Sequence, residues 1–338
     1  DKKEILHYFP SKALYDITPP PHTYILPTTK AHDILYSIHK DEPNVNEFIP
    51  IVKHYEVCEN IFLELKANIN KTDDYGKFYN ERVSMVFNAI ERVGIQIQKE
   101  EFRTHFYDET NTKVYTQYNL KTLTTRPSNT YKGINYGALN QKNGCRKSFI
   151  PTNDVFVELD ISAFHPTLCC DLVDYRFPDM VDIHTHLSEL YNVDYKKSKE
   201  LTFKQLYGGV FDNYKDIEFF KRIDIYVKEL WEEFESEGFI TCPISNYVFD
   251  KKNLENMNPQ KLFNYLLQNL ETSTNVCILW DILKILRGKN TKLILYVYDS
   301  FLLDVDESEV NVVDEVKTVF KKYKLNIKEK QGYDYDFK

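Results

Sequence analysis

Two aspartates, Asp160 and Asp299, each stand at the end of a short apolar run: residues 154–160 read Asp-Val-Phe-Val-Glu-Leu-Asp, and residues 292–298, Lys-Leu-Ile-Leu-Tyr-Val-Tyr, lead into Asp299. Carboxylates brought together this way can hold divalent cations, because a hard cation with phosphate ligands needs only one or two from the protein. Two such ions can activate an attacking hydroxyl and stabilise a leaving pyrophosphate in an in-line displacement. Either aspartate taken singly reads equally well as a turn residue capping a strand end. Between them lies Lys-Glu-Leu-Thr-Phe-Lys-Gln-Leu-Tyr-Gly at 199–208. Its Lys199, Phe203 and Tyr207 share one face of a helix. A cation there can take triphosphate charge, and an aromatic face can stack on a base and sugar. A plain amphipathic helix would carry Leu or Val at those positions, so a core role for the face stays open.

The elements that must position these groups follow from periodicity. The run at 154–160 is short, apolar and rich in β-branched residues, which predicts a buried strand; 292–298 reads as a second buried strand and 301–305 as a third. Asp299-Ser300 between the last two predicts a hairpin turn with a carboxylate at its tip, and Leu325-Asn-Ile-Lys-Glu reads as a last strand. From Asn80 to about Gln98, Val83, Val86, Phe87, Ile90 and Val93 fall at helical spacing, with Gly94 as a stop. Residues 112–150 are polar and turn-rich. Helical patterns dominate 182–287, with Ile223, Val227, Leu230, Trp231 and Phe234 as one stripe, and Val312, Val313, Val316, Val319 and Phe320 predict another helix. The fold class is α+β, a small antiparallel sheet with interposed helices.

At 338 residues the chain exceeds what one compact core usually serves, which suggests two or three subdomains. Hydrophobic residues at 42% and aromatics at 14% exclude wholesale disorder. No apolar run approaches the ~20 residues needed to cross a bilayer, and the N-terminus has no signal-like apolar region, so the expectation is a soluble protein without a membrane partner. The first residue is Asp rather than Met, which suggests a fragment of a longer chain. Six cysteines show neither CxxC pairs nor zinc-finger spacing. That fits a reducing, cytoplasmic compartment. The net charge of -8 argues mildly against nucleic acid unless positive charge clusters locally. Ten glycines and a Lys/Asn/Ile/Tyr-rich texture fit an AT-rich genome such as that of a phage or other virus.

Taken in order, these residues resemble DNA polymerase family A, the bacterial DNA polymerase I type. Asp160-Ile-Ser-Ala-Phe-His165 is similar to its motif A, and Lys199, Phe203, Tyr207 and Gly208 match its fingers-helix motif, Lys-x3-Phe-x3-Tyr-Gly. Tyr298-Asp299-Ser300 resembles its motif C, usually His-Asp-Glu. Asp182-Ile-His-Thr185 and the Asn264/Gln268 pair match two further segments. Thr125-Arg126-Pro-Ser128 and Arg146-Lys-Ser-Phe149 resemble the template-primer segment before motif A. Glu91-Arg-Val-Gly94 and Gly332-Tyr-Asp-Tyr resemble the two ends of the polymerase domain. The matches run in order over residues 82–335, which makes coincidence a poor explanation.

The resemblance implies a right-hand palm with helical fingers. Residues 80–181 would form the palm entry and motif A, 182–258 the fingers, and 259–338 the fingers-to-palm helix, the motif C hairpin and the C-terminal palm. It implies a template-directed DNA polymerase whose two Mg²⁺ ions are held by Asp160, Asp299 and the Ile161 carbonyl. Lys199, His184 and Lys196 would hold the triphosphate, with Phe203, Tyr207 and His165 around sugar and base. Arg126, Asn264, Gln268 and Tyr298 would meet the primer-template DNA. Its substrates would be deoxynucleoside triphosphates, its partners a processivity factor or helicase, and its place the nucleoid or a host cytoplasm.

Departures from the pattern are specific. His165 replaces a glutamate that in the family gates the sugar and bonds the fingers phenol, here Tyr207. Tyr195 replaces an arginine, with Lys196 as a substitute. About ten residues separate Phe102 from Thr112, where the family inserts its thumb, so the thumb is expected to be reduced or missing. Tyr55-Glu-Val-Cys-Glu59 faintly resembles the last motif of a proofreading exonuclease, making residues 1–66 a remnant of such a domain or a plain helical cap. Three rival readings remain. A single-subunit RNA polymerase shares this palm and commonly has Ser after the aspartate. A family B enzyme is suggested by Asp-x4-His-Pro-Thr-Leu but fits Phe203 and the lone motif C aspartate poorly. An inactive palm-fold subunit would only bind nucleic acid.

Overall fold

The computed structural model describes residues 73–106, 112–120, 122–129, 134–178 and 181–337. The expectations for residues 1–66, and residues 107–111 of the expected thumb junction, lie outside the described residues. The chain divides into two units, Asp1–Arg92 and Val93–Lys338. In the first, α1 (Asp74–Phe78) starts where the Asp73 side chain accepts from the Gly76 amide at 2.6 Å. A π-helical turn, Tyr79–Val83, leads into α2 (Ser84–Glu91), which buries Val86, Phe87 and Ile90. The helix expected to run to about Gln98 therefore ends at Glu91. Gly94, at φ 70°, turns the chain, and Ile95 and Ile97 alternate with Gln96 as a strand does.

The second unit carries the site. Strand β1 (Ile95–Ile97) lies between β2 (Lys113–Val114) and β3 (Phe149–Ile150) in a small antiparallel sheet, with α3 (Lys99–His105) after β1. The segment read only as polar and turn-rich thus contributes two short strands. Strand β4 (Val155–Ile161) is followed by four helices, α4 (Phe164–Leu172), α5 (Ile183–Tyr191), α6 (Tyr195–Gly208) and α7 (Glu218–Glu237). Asp182 and Asp194 cap α5 and α6 by accepting from Thr185 and Lys197 amides at 2.9 and 2.8 Å, satisfying donors that a helix start leaves open. Gly238, at φ 80°, stops α7, and the hairpin β5 (Phe239–Thr241) and β6 (Val248–Asp250) follows. That hairpin falls inside the stretch expected to be helical. Asn258 caps α8 (Pro259–Ile285), which has proline in its first turn, where no amide is needed.

The main sheet is antiparallel throughout, in the order β7 (Lys292–Val297), β8 (Ser300–Val305), β4, β9 (Ile327–Gly332), with α9 (Asn311–Lys322) between the last two in sequence. The last strand begins at Ile327, two residues later than expected. Phe156, Ile294, Leu295 and Leu302 join Ile95, Ile97, Phe102, Tyr136, Phe149 and Tyr335 in one core, which ties the small sheet to the large one. Phe301 meets Phe320 of α9 edge to face, with ring centroids 5.1 Å apart. Glu158, buried in the central strand, accepts from Ser300 Oγ at 2.9 Å and Lys330 Nζ at 2.7 Å, which offsets the cost of its burial. No described helix is long and apolar enough to cross a membrane.

Candidate active site

Antiparallel pairing brings the two aspartates to one end of the sheet. Asp160 pairs with Ser300, and the Ile161 amide donates to the Asp299 carbonyl at 2.9 Å. Val297 pairs with Ser300, so the two-residue turn is Tyr298–Asp299 and Ser300 already belongs to β8, one residue off the expected turn. Tyr298 sits at φ 59°, a left-handed conformation that bulky residues rarely adopt. Asn275 holds it there by donating to its carbonyl at 2.7 Å, and the Arg126 guanidinium lies 4.0 Å from the centre of its ring. Gly137 makes room, since a Cβ there would come 3.0 Å from Tyr298 Cε2.

Both carboxylates are held above their ordinary range. Burial pushes Asp160 up to about 6, and the charges of Asp299 and Glu158 add to it, against a partial pull from Lys330 and Lys199. Burial also raises Asp299, opposed by its own backbone hydrogen bond, raised further by Glu271, and pulled back by Arg126 and Lys199. Together these shifts describe a pair of like charges that the fold compensates only in part.

A cleft of about 210 Å³ joins this pair to the helices. Lys199, Phe203 and Tyr207 of α6 all line it, and the Phe203 and Tyr207 rings stack with centroids 5.7 Å apart at 20°. His184 of α5 lines it too and is 2% exposed, and neither of its ring nitrogens makes a hydrogen bond among the described residues. Burial lowers its pKa, partly offset by Asp182 and reinforced by Lys199 and Lys328. Ser198 Oγ donates to the His184 carbonyl at 2.8 Å, fastening α5 to α6. Tyr195 reaches the cleft, whereas Lys196 is exposed and is not among its lining residues. Beside Lys199 and Arg126, a further cation lines it: Lys328 of β9, directly paired in register with Asp160.

A continuous polar chain forms the remaining wall. After β4, Ala163 at φ 49° turns the backbone into α4, which puts His165 in the first helical turn. The Tyr207 hydroxyl is 2.7 Å from His165 Nδ1, and His165 Nε2 is 2.5 Å from Glu271 Oε2. Arg126 donates to the same carboxylate, Nε to Oε1 at 3.0 Å and Nη2 to Oε2 at 3.3 Å. Glu271, on α8, is 2% exposed. On the same helix, Asn264 Nδ2 donates to the Tyr207 carbonyl at 3.0 Å, Gln268 Oε1 accepts from Thr124 Oγ1 at 3.0 Å, and Asn269 Nδ2 donates to Thr125 Oγ1 at 2.8 Å. Asn264 and Gln268 thus brace the end of α6 and the 124–126 segment, and neither lines the cleft.

Sequence reasoning missed Glu271, Asn275, Lys328 and Gly137. Two of these, Glu271 and Asn275, left a trace. Asn264, Gln268, Glu271 and Asn275 are spaced four, three and four apart, the spacing of one face of a helix. That is one polar stripe along α8, continued from the Asn264/Gln268 pair. Lys328 is visible only once the last strand's register against β4 is known.

Neither a scan of family models nor a search of curated sequences finds a match to this chain. Among solved structures, the fold is similar to the polymerase domain of Pol1 from M. smegmatis, a complex with DNA primer-template and dNTP. The two are 13% identical with a TM-score of 0.58, over 89% of this chain and 55% of that one. This chain therefore spans about half the length of its structural neighbour, and the likeness is one of fold.

Proposed function

We propose that this chain is the core of a template-directed DNA polymerase that extends a primer with deoxynucleoside triphosphates by nucleotidyl transfer. One observation carries the reading: the under-compensated Asp160/Asp299 pair and the Lys199–Phe203–Tyr207 face of α6 open into the same cleft. The donor set fits a hard cation. Among the described residues no group of three or more His, Cys, Asp or Glu side chains is gathered to hold a metal. Two carboxylates and the Ile161 carbonyl are what Mg²⁺ uses when substrate phosphates and water complete its shell. Bound there, two divalent ions would supply charge neutralisation for the attacking oxygen and the leaving pyrophosphate.

The chain's own residues then divide the work. Lys199 and His184 bind the triphosphate, with Lys328 as the second cation in place of the exposed Lys196. His184 suits this because a buried imidazole without a protein partner has donor capacity to offer. Phe203 and Tyr207 stack along the nucleoside, with His165 behind the sugar edge. Arg126, in the segment braced by Gln268, and Tyr298, held by Asn275, border the duplex, while Asn264 braces the end of α6. Positive charge at these few positions suffices for a cleft in a chain of net charge -8. The resemblance to an RNA polymerase at Ser300 carries less, because that hydroxyl is spent on Glu158 inside the sheet.

The deciding experiment is extension of a primed DNA template with Mg²⁺ and deoxy- or ribonucleoside triphosphates. Extension with deoxynucleotides supports the reading. Equal use of ribonucleotides would favour the RNA polymerase alternative, and primed-DNA binding without extension would favour an inactive subunit.

A further inference from the structure

We infer that Glu271 is a specificity-determining positioning residue: through its bond to His165 it locks the Tyr207 phenol in the cleft and thereby sets how strongly a deoxyribose is preferred over a ribose. The inference rests on the polymerase reading above and deepens it. Its basis is a chain of contacts in which each member is fixed by the next. Glu271 is buried, and its two oxygens are shared between Arg126 and His165. A carboxylate accepts only, so His165 Nε2 must carry the proton toward it. In the neutral imidazole this leaves Nδ1 as an acceptor, and the Tyr207 hydroxyl, 2.7 Å away, is the donor. The far side of the Tyr207 ring is held by the stack with Phe203.

Placement makes this a matter of the sugar. Tyr207 lies eight residues from Lys199 along α6, about 12 Å of helix. With the terminal phosphates at Lys199 and His184, that distance brings the nucleoside end to Tyr207 and His165. A phenol locked from behind cannot swing aside for an additional hydroxyl. In Glu271→Gln, the amide can donate to Nε2. The imidazole can then take its other tautomer, with Nδ1–H donating to the Tyr207 oxygen, so the charge-assisted anchor gives way to a weaker neutral one that exists in two directions, which loosens the lock while keeping the side chain's shape.

The test measures kcat and KM for single-nucleotide addition with matched deoxy- and ribonucleoside triphosphates, and equilibrium binding of both nucleotides to primed complex. Glu271→Gln should lower the deoxy-to-ribo ratio of kcat/KM roughly tenfold, the worth of one buried hydrogen bond. His165→Asn, which cannot reach Glu271 but leaves Arg126 paired, should lower it by a similar factor, and the double variant should lose no more than either alone. Equal losses on both sugars with an unchanged ratio would mark Glu271 as merely structural and overturn the inference while leaving the polymerase reading intact. A wild-type protein that does not extend primers fails the polymerase reading. The binding ratio then decides: a drop in Glu271→Gln supports the lock, and an unchanged ratio or no nucleotide binding overturns it.

Discussion

At the ends of β4 and β7, Asp160 and Asp299 crowd together with no ion pair to either among the described residues, and both are driven toward the protonated form. Beside them, His165 of α4 and Glu271 of α8 are buried more deeply than either aspartate, yet both oxygens of Glu271 and both ring nitrogens of His165 have partners, Arg126 of the 122–129 segment among them. The contrast separates two kinds of polarity around one cleft. One is left incomplete, and the missing charge has to come from what binds. The other is complete within the protein and holds a shape in the absence of a ligand. Substitutions should therefore act oppositely on the two walls.

The largest effect is expected at the incomplete pair. Asp299→Ala and Asp160→Ala should each slow primer extension on the order of a thousandfold or more, since positioned charge carries most of the transition-state stabilisation. Primed-DNA binding should survive, as a gel-shift titration would show. A near wild-type rate in Asp299→Ala would break the assignment of this wall. Next comes Lys199→Ala. Negative charge grows on the leaving phosphate as the bond breaks, so kcat should fall and nucleotide KM rise together, roughly 10- to 100-fold in kcat/KM. An unchanged steady-state profile would remove Lys199 from the phosphate site.

Stability sharpens the comparison further. Asp160 has an ordinary pKa of 3.8 and a folded value of about 6. Between these values the folded protein keeps a proton that the unfolded chain has lost, so stability falls as pH rises through that window. Above it, burying the ionised carboxylate costs up to about 3 kcal/mol. Asp160→Asn should then melt higher than wild type at pH 7 and lose that advantage below pH ~4, and Mg²⁺ should raise the wild-type midpoint more than the variant's. Glu271→Ala should do the reverse. It strands Arg126 and His165 around a buried gap, at a cost of roughly 3 kcal/mol, in the same melting experiment.

The sheet and the face of α6 were legible because they rest on local signals. Short apolar runs bounded by polar residues specify β4, β7 and β8, and four-residue spacing puts Lys199, Phe203 and Tyr207 on one side of a helix. What escaped depended on pairing between distant segments. Lys328 enters the cleft only through the register of β9 on β4, and Glu271 matters only because His165 lies 106 residues away and within bonding reach. Local backbone conformation hid the rest. The left-handed turn at Tyr298 moved the hairpin by one residue because tyrosine gives no sign of a positive φ. Gly94 ended a helical pattern that Val93 seemed to continue, and two isoleucines beyond it answered to the period of a strand.

The smallest expected effect tests how Tyr298 is held. Its left-handed backbone costs about 1 kcal/mol in a bulky residue, and its ring returns roughly 0.5–1 kcal/mol through Arg126. Asn tolerates the same backbone and keeps the carbonyl that Asn275 bonds, so Tyr298→Asn should change the folding free energy by less than about 1 kcal/mol. Gly137 supplies the sharper measurement. Its backbone is not in the left-handed region, so Gly137→Ala would ordinarily stabilise by about 0.4–1 kcal/mol through the unfolded chain. Here the new methyl would stand 3.0 Å from Tyr298 Cε2 and 3.4 Å from Val297 Cγ1. The ring already carries the Arg126 contact 4.0 Å from its centre, so a shift that admits the methyl is made against that contact. Gly137→Ala should therefore destabilise the wild type slightly and stabilise the Tyr298→Asn variant, a change of sign that a double-mutant cycle in chemical denaturation reads directly. Equal effects in both backgrounds would mean that the tyrosine ring is not confined by this contact.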